Sequence, residues 1–124
     1  MQVSVAIAAG GAMGALLRYW TSLGVHAMLG RGFPWGTLTV NVIGSLTMGL
    51  LYVLLVERMS VGPAGRGLLL IGFLGAFTTF SSFSVETMGL IEGGEPLKAL
   101  VNVLLSVSLC LVACWAGMVA GRQI

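Results

Sequence analysis

The chain has 124 residues, of which 57% are hydrophobic and 8% charged, with a formal net charge of +2. A water-soluble domain carries about 25% charged residues, so this composition excludes one, and a balance of +2 makes no case for a nucleic-acid partner. The mean hydropathy of +1.03 describes a chain whose solvent is lipid.

Four apolar stretches follow one another, approximately 3–29, 33–56, 67–91 and 97–121. They are expected to form one transmembrane domain over 1–124, with no soluble domain beside it. The second, third and fourth hold charge-free runs of 25, 19 and 23 residues (32–56, 67–85 and 99–121), against the ~20 needed to cross a bilayer. The first is interrupted only by Arg18. It has no basic leading region, so it is expected as a retained span rather than a signal peptide. Gly10, Gly11 and Gly14 put small residues four apart, a spacing that lets helices approach closely. His26, alone near a loop, is expected to have no specific role.

Pro34 and Trp35 suit the start of the second span at the membrane interface. Thr37, Asn41, Gly44, Ser45 and Tyr52 then fall near one helical stripe. An amide at bilayer depth is costly without partners. Asn41 is therefore read two ways, as an interhelical hydrogen-bonding group or as a donor to a passing anion. A turn at 60–63 leads into the third span.

The third span holds the most informative segment, 72–84. It combines two glycines, five hydroxyl side chains and four phenylalanines where a lipid-facing helix needs none of them. Polar groups at this depth are tolerated where protein buries them or where they line a wet path. Glycine permits a helix to open and release its carbonyls. The segment is expected to be a break at the centre of the third helix, beside an ion pathway, with no lysine or arginine at the break. Glu86 lies seven residues past Thr79, roughly 10 Å along a helix. Glu86 and Arg18 are the two charges inside spans. Arg18 is expected either to pair with Glu86 or to snorkel to the headgroups.

After Gly93-Gly94-Glu95-Pro96, the fourth span carries Asn102, Ser106 and Cys110 at successive i, i+4 positions, a polar line equally suited to packing or to a pore. Cys110 and Cys114, with no histidine beside them, are read as buried thiols rather than a disulfide or a metal pair. Counted by side, Arg58, Arg66 and Arg122 face Arg31 and Lys98, joined by Arg18 if it reaches that way, three against two or three. That bias is too small to fix an orientation. It is consistent with insertion both ways round, and equally with a small protein that has few charges.

Three motifs then stand together: Gly10-Gly11-Ala12-Met13-Gly14-Ala15-Leu16-Leu17-Arg18-Tyr19, Gly36-Thr37-Leu38-Thr39-Val40-Asn41-Val42-Ile43-Gly44-Ser45, and Thr78-Thr79-Phe80-Ser81-Ser82-Phe83-Ser84 within 72–84. In order and spacing they resemble the small bacterial fluoride channels (Fluc, also called CrcB), over essentially the whole chain. The resemblance implies an all-α membrane protein with four spans per subunit, assembled as an antiparallel, dual-topology homodimer with two pores. It implies passive export of cytoplasmic fluoride across the bacterial inner membrane. It also implies a structural, untransported sodium ion at the dimer interface, held by the carbonyls of Gly75 and Thr78. Carried over residue by residue, the pore set is Asn41, Thr79, Phe80, Ser81, Ser82, Phe83, Ser106 and Cys110, with Glu86 as an acid near the end of the path. Gly10, Gly14, Arg18 and Thr37 become packing positions.

The residue types suit that chemistry. Hydroxyl and amide donors can replace the water that fluoride holds tightly, and the positive edges of aromatic rings can line an anion path. The main rival is a small multidrug-type proton-coupled cation antiporter, which needs an acid in its first span; this chain has none there. A passive anchor subunit would leave the hydroxyl cluster unexplained. No enzyme is expected, because no nucleophile–base pair, metal cluster or phosphate loop is visible.

Overall fold

The computed structural model describes residues 1–124, all of it helical apart from short connections. Four helical spans are long and apolar enough to cross a membrane: Gln2–Leu29, Trp35–Arg58, Pro63–Glu92 and Pro96–Gln123. The protein is a multi-pass membrane protein. Within them, α1 is Gln2–Leu29, α2 Trp35–Tyr52, α3 Pro63–Arg66, α4 Gly75–Phe77, α5 Phe80–Glu92 and α6 Pro96–Gln123. The second span ends with widened turns of i→i+5 bonding at Val53–Arg58, and the third has the same bonding at Gly67–Leu74, between α3 and α4.

Two close pairs organise the bundle: α2 on α6, and α1 on Gly67–Leu74. Both rest on missing side chains. A Cβ on Gly10 would strike the Leu68 carbonyl, and one on Gly14 the Phe73 carbonyl. Across the other pair, a Cβ on Gly49 would strike the Cys114 carbonyl and one on Gly117 the Leu46 carbonyl. Contact at backbone distance maximises dispersion where lipid provides no hydrophobic drive. The apolar core is small, formed by Leu38, Val40, Val53, Leu74, Phe77 and Ala99, and only 20 of 124 residues are buried. The remaining apolar surface faces outward, as a chain surrounded by lipid or by another copy requires.

The connections are held by backbone geometry and a few polar contacts. Gly30 and Gly94 both sit at φ +82°, a conformation that side chains disfavour. Ser60 reverses the chain at φ +51°, and Pro63 opens the next helix at its first turn. His26 does have a role, contrary to expectation. Its Nε2 accepts the Gly36 N–H at 3.2 Å, capping one of the orphan amides that begin α2. The fit is tight: a Cβ on Gly36 would come within 3.0 Å of the imidazole, and the ring would have to shift by a few tenths of an ångström.

Candidate functional site

The site is built around Thr78 and Thr79. Between α4 and α5 both residues are extended, with φ/ψ of −86°/156° and −151°/120°. Threonine is a weak helix former, and here three other groups replace the helical hydrogen bonds. The Thr79 N–H, which a continuous helix would give to the Gly75 carbonyl, goes to Asn41 Oδ1 at 2.8 Å. The Asn41 Nδ2 donates back to the Thr79 carbonyl at 3.0 Å. The Ser82 N–H, which would otherwise reach the Thr78 carbonyl, goes to Thr79 Oγ1 at 3.2 Å, so Thr79 caps α5. The carbonyls of Gly75 and Thr78 thereby lose their i+4 donors.

The Ala76 carbonyl, which lies between them, is served differently. Arg18 Nε donates to Ala76 O at 3.0 Å. This corrects two expectations. Arg18 neither snorkels nor pairs with Glu86, and a basic side chain does stand at this point, brought from the first span. Gly44 supplies the room on the other side, because a Cβ there would collide with the Thr78 methyl.

The extended pair also redirects the phenylalanines. Phe73 and Phe77 stack on one another, with ring centroids 6.4 Å apart. Spacing would put Phe80 on the same stripe of a continuous helix. Instead Phe80 lies 5.4 Å from Phe83, the two rings tilted by 43°, and both line a cavity of ≈ 420 Å³. Asn41, Ser45 and Met48 of α2 line the same cavity with Thr78 and Thr79, and with Ser106, Cys110 and Cys114 of α6. Phe80 is 77% exposed in the single chain, so one wall of the hollow stands open.

The structure thus brings Asn41, Thr79, Phe80, Phe83, Ser106 and Cys110 to one hollow. Ser81 and Ser82 do not line it; their hydroxyls stand 3.3 and 3.2 Å from Thr79 Oγ1, a cluster sharing few protons. Ser106 is tied inward, donating to Asn102 Oδ1 at 3.4 Å. Asn102 in turn donates to Thr87 Oγ1 at 3.0 Å, and Thr87 donates to the Phe83 carbonyl at 2.7 Å. Asn102, 2% exposed, is therefore a packing group that pins α5 to α6. Sequence reasoning passes over Thr87 and Met48. Thr87 lies one turn past Phe83, and Met48 two turns past Asn41, and that periodicity is the signal for each.

Glu86 lies outside this hollow. It borders a second cavity of ≈ 230 Å³ near His26, Arg31 and Phe33, and its Oε1 is buried without a hydrogen-bond partner. Gly10, Gly14 and Thr37 are buried in helix contacts. Gly75 is exposed on the single chain.

Residues 5–118 match the family model described as CrcB-like protein, Camphor Resistance (CrcB). Over 124 residues the chain is 51% identical to a Geobacter sulfurreducens protein, covering all of both chains. It is 53% identical over 118 residues to one from Magnetococcus marinus, covering 95% of this chain and 96% of the relative. A Methylococcus capsulatus relative is 55% identical over 119 residues; the match covers 96% of this chain but about half, 52%, of that longer protein. All three relatives bear the name fluoride-specific ion channel FluC. With a family match spanning nearly its whole length and relatives above half identity, this chain belongs to the CrcB-like family.

Proposed function

We propose that this chain is a fluoride-specific ion channel. It exports cytoplasmic fluoride by passive electrodiffusion across the bacterial inner membrane, after the ion has entered as its neutral weak acid. The single observation that carries the reading is the ≈ 420 Å³ hollow walled by Asn41, Thr79, Phe80 and Phe83 beside extended backbone at Thr78–Thr79. The relatives' shared name gives the ion.

In this account the third helix is functionally broken at Thr78–Thr79. Fluoride exchanges its water for the Thr79 hydroxyl and for the Asn41 N–H not spent on Thr79. Ser81 and Ser82 serve this path only by turning from Thr79 Oγ1 toward the hollow. Ser106, on the facing helix with Cys110, serves it only by giving up its bond to Asn102. The ring edges of Phe80 and Phe83 supply weak positive potential, strong enough to admit an anion and weak enough to release it. The Arg18 guanidinium, held at Ala76, raises the local anion concentration without contacting the ion. Glu86 stands at the end of the path, in the second hollow.

Two such chains assemble as an antiparallel, dual-topology homodimer in the lipid bilayer, with two pores. The Gly75 and Thr78 carbonyls fit a structural sodium ion. They are hard oxygen donors deprived of their helical partners, Gly75 lies on the open face, and two copies give four oxygens. The ion would offset their negative dipoles; it is not transported. Nothing in this chemistry makes or breaks a covalent bond, so the protein is not an enzyme. A proton-coupled cation antiporter is disfavoured because Gln2–Leu29 contains no acid.

The test is purified protein in liposomes loaded with potassium fluoride or potassium chloride. Efflux started by a potassium ionophore is expected for fluoride and not for chloride. Absence of fluoride efflux, or equal passage of the two anions, overturns the reading. Labelling a terminal tag from both sides of one membrane reports whether both orientations occur.

A further inference from the structure

The same hollow contains three sulfur side chains, of which only Cys110 has a part in the proposed anion passage. Cys110 and Cys114 are free thiols, and both line the cavity together with Met48 from the facing helix. Residues at i and i+4 on a helix stand about 5–6 Å apart at Cβ, within reach of a shared metal ion at about 2.3 Å from each sulfur. The third sulfur, of Met48, lines the same cavity from α2, which meets α6 at backbone distance beside it. Next to Met48, Gly49 lies so near α6 that a Cβ there would strike the Cys114 carbonyl. No histidine, aspartate or glutamate lines this hollow. Two thiols alone are a poor zinc site, but two thiols and a thioether form a soft donor set that suits monovalent d¹⁰ ions.

We propose that Cys110, Cys114 and Met48 form a site for a soft monovalent cation such as Ag⁺ or Cu⁺, and that filling it stops anion passage. The second half of this rests on the reading of the hollow as the fluoride path. On binding, one thiol exchanges its S–H bond for an S–metal bond and its proton leaves to water. The other thiol and the Met48 thioether coordinate through lone pairs. The thiolate and the cation cancel, so the occupied site is neutral and inexpensive to hold at membrane depth. The metal and its ligands then fill the hollow that α2 and α6 share with Thr78–Phe83 and remove one thiol proton as a donor.

The test uses silver nitrate as the probe in chloride-free buffer, read by calorimetry or native mass spectrometry on the purified full chain, and in parallel by fluoride efflux from liposomes. One Ag⁺ per chain is expected, with efflux lost at the same stoichiometry and restored by dithiothreitol. Met48→Leu is expected to weaken binding about tenfold, and Cys110→Ser or Cys114→Ser about a hundredfold or more. The double serine variant should bind no Ag⁺, and its residual efflux should be insensitive to the ion. Undiminished binding by the double variant overturns the ligand set. Stoichiometric binding with full efflux overturns the placement in the path. If the protein passes no fluoride at all, the titration still decides the site, so the two readings fail separately.

Discussion

Asn41 and Thr79 hold one another through two hydrogen bonds, the Thr79 N–H to Asn41 Oδ1 at 2.8 Å and Asn41 Nδ2 to the Thr79 carbonyl at 3.0 Å. A single amide side chain thus satisfies both polar groups of one extended residue, as a neighbouring strand would. This is how backbone leaves the helix at this depth without orphaned groups at Thr79. The same substitution of side chain for backbone frees the carbonyl of Gly75.

Asn41→Asp keeps the acceptor for the Thr79 N–H but turns the donor into a carboxylate oxygen facing a carbonyl. Fluoride efflux is expected to fall at least tenfold, since the proposed anion path would then carry a negative charge. Asn41→Leu removes both bonds and should destabilise the fold by about 2 kcal/mol, at roughly 1 kcal/mol per bond, measured by denaturant unfolding in detergent micelles. Unchanged conductance in Asn41→Asp takes Asn41 out of the pathway.

Phe80→Ile and Phe83→Ile keep apolar bulk and discard the ring edge. Each is expected to abolish fluoride efflux while the assembly state, followed by size-exclusion chromatography or crosslinking, matches that of the parent protein. Full flux in both variants removes the aromatic-edge mechanism.

Arg18→Gln retains a donor for the Ala76 carbonyl but loses the charge, whereas Arg18→Leu loses both. If Arg18 serves mainly to hold Ala76, the glutamine variant keeps most of its stability and the leucine variant loses about 1.5–3 kcal/mol, the range for a hydrogen bond to a charged group. If its charge also concentrates anions, both variants lower efflux, and the loss deepens at low fluoride concentration. Efflux measured across a fluoride series separates the two contributions.

Gly14→Ala drives a methyl into the Phe73 carbonyl, forcing α1 away from the third span at a cost of about 1–3 kcal/mol for overpacking. Gly24→Ala on the same helix meets nothing and should be neutral or slightly stabilising, since alanine favours a helix by up to ~1 kcal/mol over glycine. Comparing unfolding of the two variants in the same micelle isolates the contact from the propensity.

Removal of sodium tests the carbonyl pair. Protein purified with N-methylglucamine as the only cation is expected to lose fluoride efflux and to regain it on return of sodium, with no dependence of the rate on a sodium gradient. Efflux indifferent to sodium would sink the structural-ion reading of Gly75 and Thr78.

The sequence by itself determined that this chain is an all-helical membrane protein with four spans, because apolar run length and the near absence of charge admit no other solvent. It also singled out 72–84, because hydroxyls and glycines at bilayer depth need a reason to be there. Its motifs were distinctive enough to reach the CrcB-like family, which the family match over 5–118 establishes. It did not determine what those side chains touch. Arg18 had two expected partners and took neither; it found the Ala76 carbonyl, 58 residues away. His26 was dismissed for lack of neighbours in the sequence, and its neighbour is Gly36 at the start of the next helix. Asn102, Thr87 and Phe83 form one chain of hydrogen bonds across two helices, which spacing along either helix alone does not reveal. The physical reason is common to all three. Hydropathy and helical periodicity act along a single segment, whereas a polar group inside a membrane is satisfied by whichever helix the glycine contacts bring alongside it.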